Sequence, residues 1–479
     1  MKVLFVAPEL PPYAKVGGLG DVVCALSKAL RNLGIDARVF CPLYGGIFPS
    51  EDWQPHPSPL HIRLGTTSSY GRLWETNHTE TGVPVAFLEY NQYFERDGIY
   101  GPPDGGHSFG DNGERFTFFS RASIDYCHHI NWLPNVIHCH DWTTGLLPSL
   151  LDADSLSTGW NPATVFTLHN MEHQGVFGVD VAEFAGINFI AQEPAPYLNF
   201  LSEGITRASA LTTVSPTYAK EIQYAPGGCG LESLLKSRSK DLKGILNGID
   251  LEAWDPFSDP SLPKRFSADD QAGKTFVKTT LQEEMNLPSG SDFPLFGVVS
   301  RFYSQKGLDL LAECLPKLLS KDPKAQFVIL GSGDPAQEDT FQSLAKVYTS
   351  QVAVVTRFDE RLARCIYGGS DFFIMPSRFE PCGLGQLYAM RYGSIPIARR
   401  TGGLVDTIKP IHKDSGTGIL FDEPTSGALF DSLELALGLY NSSDLFQSIR
   451  KNAMSENFGW DISAGEYRSL YQKLTEAQP

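Results

Sequence analysis

Short, β-branched apolar runs alternate along this chain with stretches whose apolar residues recur every three or four positions. Lys2–Ala7 (KVLFVA) is such a run and reads as a strand buried on both faces. A loop with three prolines follows. Apolar residues at helical spacing then cover Asp21–Leu33 and stop at Gly34, and Ala37–Cys41 (ARVFC) reads as the next strand. Strand, loop, helix and strand in that order predict the opening of a doubly wound parallel sheet. Further strands are predicted at Val83–Tyr90, Val136–Cys139, Thr164–Leu168 and Ala210–Val214. From about 250 to 292 the pattern dissolves into polar, proline-bearing sequence (DPFSDPSLPKRFSADDQAGK), a linker or hinge-associated segment. A second series then begins: a strand at Pro294–Val299, a helix at Gly307–Leu319, and strands at Gln326–Leu330, Val352–Val355 and Phe372–Met375. The expectation is an α/β chain of two domains facing each other across a cleft, with ligands at the carboxyl ends of the strands.

Length and composition agree. A chain of 479 residues exceeds what one core serves, and 42% hydrophobic with 20% charged residues excludes a disordered chain. Forty-five glycines and thirty-two prolines imply many tight loops. The net charge of −16 argues against nucleic acid or an anionic membrane as a partner, and requires local cations wherever an anionic substrate binds. Eight scattered cysteines without a CxxC pair read as reduced core filler. The N-terminal apolar run is shorter than the ~7–15 residues of a signal peptide's apolar region, and no run approaches the ~20 residues of a membrane span. The expected location is cytoplasmic, so the N-x-S/T triplets at Asn77 and Asn441 read as chance.

Three glycine- or cation-bearing stretches carry the candidate chemistry. In Lys15–Val22 (KVGGLGDV) the glycines lie about ten residues past the first strand in GGxG spacing, and the second strand ends in Cys41-Pro42. A nicotinamide fingerprint is thereby excluded. What remains is a glycine-lined loop opening a helix, whose free amides favour an anion beside Lys15; it reads equally as a turn with a solvated lysine. In Ser300–Gly307 (SRFYSQKG), Arg301 ends a strand and Lys306 opens a helix, a pair suited to a diphosphate or simply two surface cations. In Ser377–Gly393 (SRFEPCGLGQLYAMRYG), Pro381 suits a helix's first turn, and the amides of Cys382, Gly383, Leu384 and Gly385 offer a second anion nest beside Glu380. A carboxylate there suits sugar hydroxyls. His138, His140 and Asp141 (IHCHDW) and His169 and His173 (LHNMEH) do not match a metalloprotease motif. They read as hydrogen-bonding groups in the cleft, with no metal site expected.

Taken together and in order, K-x-G-G-L at Lys15–Leu19, HCHDW, TLHN, LNGID at Leu246–Asp250, SRFYSQKG, SRFEPCGLGQLYAMRYG and TGGLVDT at Thr401–Thr407 resemble the bacterial and plant glycogen/starch synthases, nearly end to end. The resemblance implies a GT-B fold of two Rossmann-like domains. Residues 1–248 would form the N-terminal, acceptor-side domain, 249–460 the nucleotide-sugar domain, and 461–479 a helix crossing back to the first. It implies transfer of glucose from ADP-glucose to the non-reducing-end 4-hydroxyl of an α-1,4-glucan, with retention, no metal and no cofactor beyond the donor substrate. By the same resemblance, Arg301 and Lys306 bind the diphosphate, and Lys15 with the amides of Gly17 and Gly18 approaches it. Glu380, Cys382 and Gly383 hold glucose hydroxyls; His169 and Asn170 contact the sugar; Asp141 and Asn247 line the same pocket. Gln305, Leu384 and Gly385 complete the donor site, and Phe358 stacks on adenine where the family commonly has tyrosine. Retaining glycosidases use two carboxylates ~5 Å apart, and Glu380 alone stands out here. Same-face attack with the departing phosphate taking the proton is therefore the expected course. Val16 and Gly385 depart from the family's usual threonines. Rival readings are a UDP-glucose-using GT-B transferase with another acceptor and a non-catalytic glucan-binding relative.

Overall fold

A computed structural model describes residues 1–102, 107–187 and 197–476. The last three residues of the segment 461–479 lie outside the described residues. The chain packs as two units. The first takes Met1–Val214, Ala219–Gly248 and the chain from Trp460 onward; the second takes Ser215–Tyr218 and Ile249–Gly459. The short segment Ser215–Tyr218, which the sequence assigns to the first domain, therefore packs with the second. Its Thr217 explains why: amide and hydroxyl both donate to the Asp406 carboxylate, at 2.7 and 2.8 Å.

In the first unit the strands are β1 (Lys2–Val6), β2 (Asp36–Pro42), β3 (Gln54–Pro55), β4 (Leu60–Leu64), β5 (Thr67–Asn77), β6 (Pro84–Glu89), β7 (Val136–His140), β8 (Ala163–Leu168), β9 (Val176–Gly178), β10 (Tyr197–Asn199), β11 (Ala210–Thr213) and β12 (Leu242–Gly244). The main sheet runs β12-β11-β8-β7-β1-β2-β6-β5-β3, with β4 on β5. It is parallel from β12 to β6, and β5 joins antiparallel. The parallel strands are apolar on both faces because helices cover both. On one face Val3, Phe5 and Val39 meet the helix Gly18–Asn32 and four side chains of the helix Trp460–Glu476: Trp460, Ala464, Tyr467 and Tyr471. On the other, Phe40 stacks on Phe119 of the helix Asn112–His129 at 5.5 Å. Burying aromatic side chains such as Tyr467 and Tyr471 stabilises by about 1.5–3 kcal/mol each, so the terminal helix is part of this core rather than an appendage.

The second unit contains β13 (Leu295–Val299), β14 (Gln326–Leu330), β15 (Val352–Val355), β16 (Phe372–Met375), β17 (Ile395–Arg399) and β18 (Ile419–Phe421), in the order β15-β14-β13-β16-β17-β18. All pairs are parallel. Counted within the unit, this is the 3-2-1-4-5-6 order of a doubly wound nucleotide-binding sheet, which reverses direction between β13 and β16. Below the reversal, Asp371 is buried between Lys278 at 2.7 Å and Arg450 at 2.9 Å. Burial opposes its ionisation, but the two cations hold it below the usual carboxylate range.

The predicted parallel strands lie within a residue or two of those observed, whereas the parallel strands β12, β17 and β18 and the antiparallel hairpin β4–β5 go unpredicted. The hairpin's signal was present: LHIRL alternates buried and exposed positions, and Leu60, Ile62 and Leu64 are buried.

Candidate active site

The order reversal in each sheet decides where side chains converge, because loops leaving the two flanking strands turn in opposite directions and open a crevice. In the second unit those loops follow β13 and β16. They bring Arg301, Lys306, Ser377, Glu380, Gly383 and Leu384 around one pocket of about 240 Å³. Glu380 is only 5% exposed. Its two carboxylate oxygens accept from Lys306 Nζ at 2.9 and 2.7 Å, and one also accepts from Ser377 Oγ at 2.9 Å. Two glycines make this approach possible. Gly307, at φ +63°, lies so close to the end of β16 that a Cβ would sit 2.1 Å from the Pro376 carbonyl oxygen. Gly402, at φ +44°, does the same against the Glu380 carbonyl, at 1.9 Å.

In the first unit the reversal falls between β1 and β7, and the loops after them bring Glu9 and Asp141 into one neighbourhood. Asp141 sits at φ +54°, a left-handed conformation that costs a non-glycine residue about 1–3 kcal/mol. In return Oδ1 accepts the His169 amide at 2.7 Å. Burial raises its carboxyl to about 7; the amides of His169 and Asn170 pull the other way, and Glu9 adds to the rise. His169 Nε2 lies 3.0 Å from His140 Nδ1. Burial depresses both rings, His169 to about 3, so both are neutral.

Several sequence expectations change. Glu9, buried to 3% exposure, turns one oxygen to the amides of Val16 and Gly17, each at 2.9 Å, and the other to the Tyr100 hydroxyl at 2.7 Å. The glycine loop is thus already held by an internal carboxylate, and Lys15 pairs with Asp21 at 2.7 Å. Pro381 is not in a first helical turn: the helix runs Gly385–Arg391, and Gln386 Nε2 folds back onto the carbonyls of Cys382 and Gly383. Gln305 is not among the residues lining this pocket, and its side-chain amide donates to the Phe379 carbonyl at 3.3 Å. His138 and His140 are core residues within β7 rather than cleft groups. Cys382 is buried, Gly385 lines the pocket, Asn247 is buried with its Oδ1 unpaired, and Phe358 is 88% exposed. Glu9 and Ser377 escaped the sequence reading. Nothing in the spacing of PELPP marks Glu9, whereas Ser377, three residues before Glu380, is a readable partner.

Two Rossmann-like units, each with its loops gathered at a strand-order reversal, are the architecture of the GT-B glycosyltransferases. Residues 2–237 match the starch synthase catalytic domain, and residues 282–455 the glycosyl transferases group 1 domain. The chain is 42% identical to a glycogen synthase of Anaeromyxobacter dehalogenans, across 99% of this chain and 100% of that one. It is 38% identical to glycogen synthase 2 of Geobacter sulfurreducens, across the whole of both. The solved catalytic domain of starch synthase IV from Arabidopsis thaliana, bound to ADP and acarbose, is similar at a TM-score of 0.90 and 32% identity, with 99% of each chain covered. The chain belongs to the glycogen/starch synthase family. It is a glucosyltransferase acting between a nucleotide-sugar donor and a glucan acceptor. Among the described residues, no helix is long and apolar enough to cross a membrane.

Proposed function

We propose that the enzyme transfers glucose from ADP-glucose to the 4-hydroxyl at the non-reducing end of an α-1,4-glucan, with retention of configuration and without a metal ion. The observation that carries this reading is the convergence of Arg301, Lys306 and Glu380 on one pocket at the strand-order reversal of the second unit. Arg301 and Lys306 bind the diphosphate. A lysine ammonium has three protons, and the two contacts with the Glu380 oxygens leave one for a phosphate oxygen. Glu380, held in place by Lys306 and Ser377, accepts from glucose hydroxyls, and the amides of the Cys382–Gly385 turn donate to them. From the first unit, Lys15 adds charge at the diphosphate. Its pair with Asp21 is partly exposed on both sides, a type worth about 0–1 kcal/mol, and is easily exchanged. His169, Asn170, Asp141 and Asn247 serve the sugar, and Phe358 offers its exposed ring to adenine. Because Glu9 holds the Gly17 amide, the loop's part in anion binding falls to Lys15 and Gly18.

Leaving of the diphosphate shifts negative charge onto oxygens that these fixed cations already face, the kind of preorganised stabilisation whose loss costs about 3–4 kcal/mol per donor. The departing phosphate then takes the acceptor's proton on the same face. The family relatives and the ADP-bound starch synthase IV support the adenine donor. The absence of a disulfide among the eight cysteines supports a cytoplasmic enzyme that works in a reducing compartment.

Incorporation of labelled glucose into glycogen, from ADP-glucose and from UDP-glucose, tests the reading in wild type beside Arg301→Ala and Glu380→Ala. ADP-glucose should be used and both variants should fall at least ~100-fold. Preference for UDP-glucose would overturn the donor, and full activity in both variants would overturn the site.

A further inference from the structure

His140 has no role in the reading above, yet its surroundings constrain it tightly. It is fully buried in β7, with Phe5 stacked on one side at 5.8 Å and His138 at 4.3 Å. Its Nδ1 meets His169 Nε2 at 3.0 Å, while its Nε2 is buried without a hydrogen-bond partner. His138 is committed elsewhere: Nε2 to the Thr167 hydroxyl at 2.6 Å and Nδ1 to the Tyr471 hydroxyl at 2.8 Å.

Both rings of the His140–His169 pair are neutral, so one of the two facing nitrogens carries the proton and the other accepts it. If His169 were protonated at Nε2, His140 would carry its own proton at Nε2, an N–H donor sealed in the core with nothing to accept it. Buried orphan donors are rarer than under-satisfied acceptors. If His140 is protonated at Nδ1, the orphan is only a lone pair facing aromatic surroundings. The second arrangement is the more stable one. It leaves His169 with its remaining proton on Nδ1.

We infer that His140 is a positioning residue: its Nδ1–H, donated to His169 Nε2, fixes His169 as the Nδ1–H tautomer, so that His169 presents a donor to an oxygen of the transferred sugar. The second half of that statement rests on the proposed contact between His169 and the sugar. The His169 backbone is set separately by the Asp141 carboxylate, so ring orientation and chain position are controlled by different groups. A neutral N–H also suits its task. It can polarise a sugar oxygen without placing a full positive charge beside an anomeric carbon that is itself becoming positive.

The test reads tautomer and rate independently. In substrate-free protein labelled with [15N]histidine, with the His169 resonances identified by His169→Asn, wild type should show His169 protonated at Nδ1. An asparagine side-chain NH2 can stand where His140 Nδ1 stands, whereas leucine has the same shape and no donor. His140→Leu should therefore release His169 into a mixture of tautomers and lower kcat/KM with ADP-glucose roughly 3–10-fold, the worth of one neutral hydrogen bond. His140→Asn should restore the Nδ1–H tautomer and recover most of that loss. An Nε2–H tautomer in wild type would overturn the inference, as would a leucine variant with unaltered tautomer and rate. If wild type has the expected tautomer but transfers no glucose, the functional reading fails while the His140–His169 assignment stands.

Discussion

At the reversal between β13 and β16 the second unit gathers charge; at the reversal between β1 and β7 the first unit suppresses it. The second holds Glu380 against Lys306, with Arg301 beside the same pocket and the Lys278–Asp371–Arg450 cluster beneath the sheet. The first holds three neutral histidines and a carboxyl raised to about 7. Two sheets of the same winding thus carry loops of different character, one charged and the other holding neutral rings. The difference shows that shared topology places a site without deciding its chemistry, which lies in the side chains of the loops.

The largest break in this contrast is Lys306→Ala. It removes a cation from the pocket and leaves the buried Glu380 carboxylate without a countercharge, held by Ser377 alone, so glucose incorporation should fall about 100–1000-fold. Initial rates at saturating ADP-glucose check this, and a rate within a few-fold of wild type would show that the charge of the second unit is not what matters. Next in size, Asp141→Asn keeps one acceptor oxygen where the carboxylate has two, and it cannot titrate. The rate should drop about 10–100-fold, as befits loss of a hydrogen bond to a charged group. The wild-type activity limb near pH 7 should vanish from the variant's rate profile between pH 6 and 9.

Acid should separate the units. His138, held down to about 3 by burial and by His169, stays neutral in the fold, whereas the unfolded chain gains that proton below ~6.5. Stability of the first unit therefore falls as pH drops from ~6.5 toward 3, by up to roughly 1.4 kcal/mol per pH unit for each such ring. Asp141 acts with the opposite sign: its raised carboxyl favours the fold below ~3.8, an advantage lost as pH rises from there to about 7. Because His140 is depressed in the same sense as His138, the histidines outweigh it. Among the carboxylates of the second unit, Asp371 is lowered and weakens the fold only below ~3.8. Hydrogen exchange at pH 5, corrected for the intrinsic rate, should show β7 and β8 losing protection before β13 and β16; simultaneous loss would erase the distinction. The smallest effect expected is that of Tyr471→Phe, which deletes the bond to His138 Nδ1 and should cost about 1 kcal/mol in urea denaturation.

The parallel strands were legible because burial on both faces leaves unbroken apolar runs such as KVLFV and QFVIL. The strand Ile395–Arg399 was not, since a proline interrupts its pattern, and Ile419–Phe421 is too short to show one. In the site, Arg301 and Lys306 could be singled out because they flank the loop between a strand and a helix, and Glu380 because it precedes a glycine-bearing turn. The pairings could not. Glu9 finds the amides of residues 16 and 17 and the hydroxyl of residue 100 through folding alone, and His140 meets His169 only because β7 and β8 are neighbours. Sequence spacing reports on neighbours within an element, whereas these contacts are made between elements.

The helix Trp460–Glu476 has a consequence for how the protein is made. Its tryptophan and tyrosines complete the core of the unit that the ribosome produces first, yet they emerge after the whole of Ile249–Gly459. At about 5–20 residues per second, the earlier-made half waits about 10–40 s for its last layer. Its aromatic face stands open to chaperones during that interval, and the half synthesised second is the one able to finish folding first.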